Sequence, residues 1–262
     1  MDGVRRLNRG YGGAVTSLLP ADDARAADWV AAALTTFGES VLSLVPSGFP
    51  SYVRVFHAAY RVDRRSGCRG ERWSAVSWAE IAAANGARAH AGMQLGALTG
   101  SDQFIHGGQP DVYDHPPMEG SLPAEIALPL REVLARHTTT PERCWFAVWN
   151  GCAAAREDVR GAPTFRVPSR EYHLLSGPIE AVIESLVQGR VQSPNIWWPD
   201  DHAWCVATEI DLNITYLACS GACRDDLLAD PGLEARQIEP TTGISWVSDL
   251  LNKQPKAGAP TT

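Results

Sequence analysis

The chain has no run of the roughly 18–20 apolar residues that a membrane helix needs, and its N-terminus has no compact apolar stretch leading to a cleavage site. Neither membrane association nor secretion is expected. Without secretion, the Asn213-Ile214-Thr215 sequon carries no weight. An excess of basic charge is also missing. Lys and Arg number 23 against 30 Asp and Glu, a formal charge of −7. That argues against a nucleic-acid binder, which needs a basic face. Sites for nucleotides and metals are equally scarce. The sequence contains no G-x-x-x-x-G-K-[ST], no G-x-S-x-G, no H-E-x-x-H and no C-x-x-C. Gly10-x-Gly12 sits in a terminus that reads as frayed, not between a strand and a helix, so it is no dinucleotide fingerprint. No cofactor is expected.

What is present is an ordinary globular composition with one bias, nine tryptophans. Indole rings bury large areas, but each N–H needs a partner, so such chains often have aromatic clefts as well as cores. The six cysteines (Cys68, Cys144, Cys152, Cys205, Cys219, Cys223) read as reduced thiols of a cytoplasmic protein. Cys219 and Cys223 have a zinc-compatible spacing but lack a second pair.

Pattern and punctuation suggest the elements. Residues 1–20 read as a flexible segment, with Arg5, Arg6 and Arg9 in a loose glycine-bearing tail. A helix is expected from Asp22 or Asp23 to Gly38, and strands over 41–45 and 52–57. Residues 63–72 read as a surface loop, and Ser77-Trp78-Ala79-Glu80 as a capping box opening a helix that ends near Gly86. The Gly/Pro-rich stretch 100–123 reads as a lid, a linker or a disordered loop. Helices are expected after Pro129 and over 178–189, the latter from the spacing of Ile179, Val182, Ile183, Leu186 and Val187. Strands are expected over 144–149, 170–175, 203–210 and 212–217, a short helix over 222–229, and a disordered tail over 253–262. The irregular alternation points to a single α+β domain over 21–252, a largely antiparallel sheet with flanking helices.

The most informative segment runs from Ser193 to Asp211. Trp197, Trp198 and Trp204 surround the acids Asp200 and Asp201, and together they suit an outward, acidic and aromatic recognition surface. The same rings equally suit a core plug, with the two aspartates capping a turn. A rival catalytic set is Glu209, Asp211 and His173, with a carboxylate acting as acid or base in a Trp-lined pocket. His106, Asp111, Asp114 and His115 offer metal-ligand types, but their spacing follows no standard pattern.

Thr138-Thr139-Thr140-Pro141-Glu142-Arg143-Cys144-Trp145-Phe146, Trp149-Asn150-Gly151, Arg170-Glu171-Tyr172-His173-Leu174 and Ser193 to Asp211 together resemble an uncharacterised family of actinobacterial proteins, from mycobacteria and streptomycetes. The resemblance spans about residues 40–250 and implies a bacterial cytosolic protein. Leu217-Ala218-Cys219-Ser220 stands where that family would have a glycine-richer turn. The helix before Pro141-Glu142, the aromatic strand ending at Asn150-Gly151 and the acidic, Trp-bearing C-terminal half are also similar to the SUKH group, which includes many bacterial toxin-immunity proteins. That likeness implies recognition over catalysis. The sequence thus reads as a non-enzymatic binding protein for a basic protein partner or a small molecule, with a carboxylate enzyme as the alternative.

Overall fold

A computed structural model describes residues 17–63, 72–100, 107–187 and 192–253. Its centre is a nine-stranded sheet in which every pairing is antiparallel. In chain order its members are β1 (Leu19–Pro20), β2 (Ser51–Phe56), β5 (Cys144–Trp149), β6 (Thr164–Val167), β7 (Arg170–Gly177), β8 (Ile196–Pro199), β9 (Cys205–Ala207), β10 (Ile214–Cys219) and β11 (Ala235–Ile238). In space the order is β1-β7-β5-β8-β9-β10-β2-β11, with β6 also on β7. A separate hairpin joins β3 (Ala59–Asp63) to β4 (Arg72–Val76). The helices are α1 (Asp28–Ala33), α2 (Trp78–Ala84), α3 (Leu95–Thr99), α4 (Ala124–Ala135), α5 (Glu157–Arg160) and α6 (Gly221–Ala229). The fold is the α+β class expected.

Both faces of the sheet are covered, because successive strand residues point to opposite sides. Val53, Val55, Phe146, Trp197, Val206 and Leu217 face one core, which α4 and α6 close with Leu130, Val133, Leu134 and Leu227. Tyr52, Phe56, Leu174, Trp198, Ala207 and Tyr216 face the other, closed by Val30, Leu34 and Val41 and by Trp78 and Ile81 of α2. Strands buried on both faces read as continuous apolar runs. All residues of β2 and β10 are buried, yet each strand interrupts its apolar run with polar side chains, Ser51 and Arg54 in β2 and Thr215 in β10.

Several expectations are corrected. The helix expected over 22–38 is a 3-10 turn (Arg25–Ala27) plus the six-residue α1, and the chain is extended again at Leu34. Val41–Ser43 is a 3-10 turn, not a strand, closed by Ser40 and Ser43 as a capping box. Pro129 lies inside α4, which begins five residues earlier behind Pro123. The strand expected over 203–210 shrinks to β9. The 178–189 helix is a 3-10 turn (Ile179–Ile183) that becomes extended at Glu184. Leu186 N–H then bonds the Gln192 carbonyl at 3.0 Å, and the Leu186 carbonyl accepts from Arg156 N at 3.1 Å. These bonds to neighbouring segments replace the helical ones.

The ends and loops also differ from the reading. Residues 1–16 and the tail from 254 lie outside the described residues. Leu18 is buried and Leu19–Pro20 pair with β7. The expected 63–72 loop links β3 to β4, and its residues 64–71 lie outside the description. The described part of the Gly/Pro stretch, 107–123, is tied down along its length. His115 and Tyr60 exchange backbone bonds at 2.9 Å, Gly120 N–H bonds Leu212 O at 2.9 Å, and Leu122 N–H bonds Ser193 Oγ at 2.8 Å. Gly120 has φ +71°, and a Cβ there would lie 2.5 Å from the Ile210 carbonyl oxygen.

Candidate functional site

The indoles proposed as a recognition surface are structural. Trp197, Trp198 and Trp204 have no solvent exposure. Trp197 and Trp198 are adjacent on β8 and so point into opposite cores. Trp197 meets Trp204 edge-on at 4.9 Å, and Trp198 meets Trp29 edge-on at 6.0 Å. Trp204 Nε1 donates to the Leu134 carbonyl at 3.1 Å, pinning α4 to the sheet. The reason is the two-sided sheet, which buries every residue of β8.

Both aspartates are spent on the same corner. Asp200 accepts from Trp145 Nε1 at 3.0 Å and pairs with Arg143. Asp201 accepts from Thr139 N at 2.6 Å and from the Thr138 and Thr139 hydroxyls, each at 2.8 Å. Burial works against its charged form, but these hydrogen bonds prevail and hold the carboxyl below its ordinary range. They cap the α4–β5 connection.

Of the rival catalytic set, Glu209 and Asp211 come together and His173 does not join them. Arg170 Nε lies 2.8 Å from Glu209 Oε1, and its Nη2 lies 2.9 Å from Asp211 Oδ2. Glu209 Oε2 accepts from Asp211 N at 2.7 Å, so each of its oxygens already has a partner. The Phe37 and Trp149 rings cover the guanidinium, at 4.6 and 5.7 Å. His173 is buried on β7, and its Nδ1–H donates to the Ala162 carbonyl at 3.2 Å. The cluster is a closed clasp, not a poised acid–base pair.

The metal set does not assemble. His106 lies outside the described residues. His115 stacks on Trp73 at 4.5 Å, Asp114 accepts from Val62 N at 2.7 Å, and Asp111 is exposed at a turn with φ +66°. Among the described residues no three His, Cys, Asp or Glu side chains gather as a ligand set.

The outward feature lies elsewhere, in a strap after β11 that sequence reasoning passed over. Trp246 is 38% exposed, Val247 46%, Leu250 89% and Leu251 58%. Single exposed hydrophobics are normal, but here four fall within six consecutive residues, a local concentration of the kind found at contact surfaces. The strap is held from beneath by Asp249, whose side chain is fully buried. Its Oδ1 accepts from His90 Nε2 at 3.0 Å and from Leu251 N and Asn252 N at 2.9 Å each. Its Oδ2 accepts from Asn252 Nδ2 at 2.9 Å and from Gln94 N at 3.3 Å. Burial opposes the charge, yet these donors keep the carboxyl below its ordinary range. Gly92 N–H donates to His90 Nδ1 at 3.1 Å, which places the imidazole proton on Nε2, facing Asp249.

Gln94 Nε2 adds a bond to Ser248 Oγ at 2.9 Å, and Asn252 clasps the Arg88 backbone with bonds of 2.8 and 3.0 Å. Beside the strap lies a depression of about 590 Å³ lined by Asn85, Ala97, Leu98, Gly100, Leu251 and Lys253. The sequence signal was available: Trp246-Val247 and Leu250-Leu251 are apolar pairs without a helical or strand period, separated by Ser248-Asp249. Among the described residues no helix is long and apolar enough to cross a membrane. The chain matches no protein-family model, no curated protein and no solved structure.

Proposed function

We propose that this chain is a non-enzymatic interaction protein whose contact surface is the strap from Trp246 to Leu251, and not the 193–211 segment. The observation that carries the reading is the pairing of a buried anchor with an exposed apolar surface. Five hydrogen bonds converge on Asp249 and fix a segment whose four large apolar side chains face solvent. A fixed apolar surface is preorganised for contact, because less chain entropy is lost on binding. Arg88 and Lys253 are exposed at its rim. The partner that fits is therefore a protein with an apolar patch edged by acid, in place of the basic partner that the overall charge suggests. Recognition is also what the SUKH resemblance implies. The carboxylate-enzyme alternative loses support from Glu209, whose two oxygens are taken by Arg170 and the Asp211 amide.

Photo-crosslinking in a bacterial host tests the reading. A benzophenone side chain placed at Leu250 or Val247 is expected to capture one and the same partner, which then binds the purified protein. The double variant W246A/L251A is expected to lose that binding while keeping its unfolding transition. Capture that is equally efficient from Leu128, on α4, overturns the assignment, as does a strap that captures nothing.

A further inference from the structure

The sequence holds two Asn-Gly pairs, Asn85-Gly86 and Asn150-Gly151. Such a pair is open to attack on itself. The glycine nitrogen can close a ring on the asparagine Cγ, and glycine has no side chain to hinder the approach. The fold treats the two pairs differently.

Asn85 ends α2 and is locked. Its Nδ2 donates to the Ile81 carbonyl at 2.8 Å and to Gln109 Oε1 at 3.1 Å, and its Oδ1 accepts from Gln109 Nε2 at 2.5 Å. The Gly86 N–H, the nucleophile of this pair, donates to the Ala83 carbonyl at 3.3 Å. Asn150 and Gly151 are instead the central residues of a β-turn, closed by Cys152 N–H on the Trp149 carbonyl at 3.3 Å. Both are exposed. The Gly151 N–H lies outside that closing bond and has no acceptor among the described residues. A Cβ at position 151 would lie 2.1 Å from Trp149 Cζ2, so the turn requires glycine there. The Asn150 carboxamide is held by one bond, from Nδ2 to Glu171 Oε2.

From this contrast we infer that Asn150 is a self-modifying site, which deamidates in the folded protein through a cyclic imide closed by Gly151, while Asn85 keeps its amide. The chemistry balances with water as the only co-reactant. Hydroxide takes the Gly151 amide proton, and the nitrogen bonds to Asn150 Cγ. The Cγ–Nδ2 bond breaks, and ammonia leaves with a proton taken from water, which restores the hydroxide. A second water then opens the imide. Opening at Cγ gives an aspartate in the ordinary backbone. Opening at the backbone carbonyl carbon routes the chain through the side chain, as isoaspartate. One amide and one water give one acid and one ammonia, with no change of oxidation state.

Either product places a carboxylate beside Glu171. Positions 150 and 171 stand opposite one another, with Asn150 N–H on the Glu171 carbonyl at 2.9 Å. The Arg166 guanidinium, 3.0 Å from Glu171 Oε1, holds the Glu171 carboxyl below its ordinary range; burial opposes this, and the bonds from Asn150 and Thr164 add to it. Like charges directly opposite on paired strands weaken the pairing. Deamidation therefore loosens the turn end of β5 and β7, beside the Arg170 clasp that the Trp149 ring covers. The change runs one way, because the ammonia is lost.

The test holds the purified full chain in mildly alkaline buffer, folded and in urea, and follows it by peptide mass mapping. In urea both pairs should convert at similar rates. In the folded protein Asn150 should convert at least about tenfold faster than Asn85, where more hydrogen bonds must open first. The converted peptide should contain aspartate and isoaspartate, the latter labelled by an isoaspartyl methyltransferase. Equal rates in the folded chain, faster conversion of Asn85, or an Asn150 that keeps its amide overturns the site. N150D reports the consequence. Hydrogen exchange at the position 150 amide should be faster than in wild type while Val148 stays protected, and adding E171Q should slow it again. Exchange in N150D equal to that of wild type overturns the coupling to Glu171.

Discussion

Thr215 donates its hydroxyl proton to His57 Nε2 across 2.9 Å, a bond that only the neutral imidazole accepts. The tautomer is fixed from the far side of the ring. The Met118 carbonyl, 2.7 Å from Nδ1, can only accept, so Nδ1 carries the hydrogen. Thr208, 2.7 Å from Thr215, must then be the donor to Thr215. The chain of bonds lies within the protein, and His57, Thr208 and Thr215 have no exposure.

This arrangement sets a pH dependence. Burial lowers the His57 pKa from 6.5 to about 4, against a smaller raising effect of the Met118 bond. Between those values the unfolded chain holds a proton that the folded protein excludes. The stability from neutral His57 is therefore complete above pH 6.5 and is lost as pH falls toward 4, by about 3 kcal/mol. Urea midpoints followed by tryptophan fluorescence should fall through this window in wild type. In H57Q, the His57 component should be absent.

The division between core and contact rings is directly measurable. W197A should lose about 3–5 kcal/mol, because the ring fills a closed core. W246A should stay within about 0.5 kcal/mol of wild type, as surface changes do. Urea unfolding of the two variants checks both values, and a large loss in W246A would return that ring to a structural role.

Arg54 is a fully buried cation on β2 that no carboxylate among the described residues pairs. Its Nη1 donates to the Ala91 carbonyl at 2.8 Å and its Nη2 to the Tyr216 hydroxyl at 3.3 Å, but Nε has no partner. The Phe56 and Tyr216 rings lie 5.0 and 5.5 Å from the guanidinium carbon. Replacing a buried charge by an apolar side chain of similar volume is often neutral or stabilising. R54M should remain within about 1 kcal/mol of wild type or exceed it, whereas R54A should lose about 2–4 kcal/mol through the cavity it leaves. Thermal melts of both variants distinguish the effects of charge and volume.

Asp249 anchors the strap locally. D249A should cost about 2–3 kcal/mol, the scale of a lost hydrogen-bonded charge. Hydrogen exchange should accelerate at the Leu251 and Asn252 amides while those of β5 remain protected. Because the Asp249 carboxyl is held below its ordinary range, its contribution is complete above the unfolded value of 3.8 and is lost as pH falls through the lower folded value. Acid should therefore reproduce part of the D249A exchange pattern.

Local chemistry was the legible part of the sequence. Ser77 caps α2 through Glu80, as the Ser-x-x-Glu spacing requires. Cys144–Trp149 is a strand, as its β-branched and aromatic content suggests. Tertiary bonding was not legible. Ile179, Val182, Leu186 and Val187 are all buried without a helix, because a 3-10 turn followed by extended chain reaches the same core. Nor did residue type settle where Trp197, Trp198 and Trp246 point. The first two lie on a strand covered on both sides, and the last on a segment whose inward positions are taken by Asp249 and Ile244. The Arg170–Glu209 clasp joins residues from distant segments, and only the pairing of the strands brings them together.

The strand order has a consequence for biosynthesis. β2 is made early, yet both its neighbours, β10 and β11, come from the last quarter of the chain. Translation at about 5–20 residues per second leaves roughly 8–30 seconds between the emergence of Phe56 from the ribosome and that of its partner Ile214. Through that interval the nascent Val53-Arg54-Val55-Phe56 segment has no sheet to enter. A ribosome-associated chaperone that shelters it would raise the yield of native protein, and a chain stalled before Ile214 would leave a sticky, unpaired strand for proteolysis.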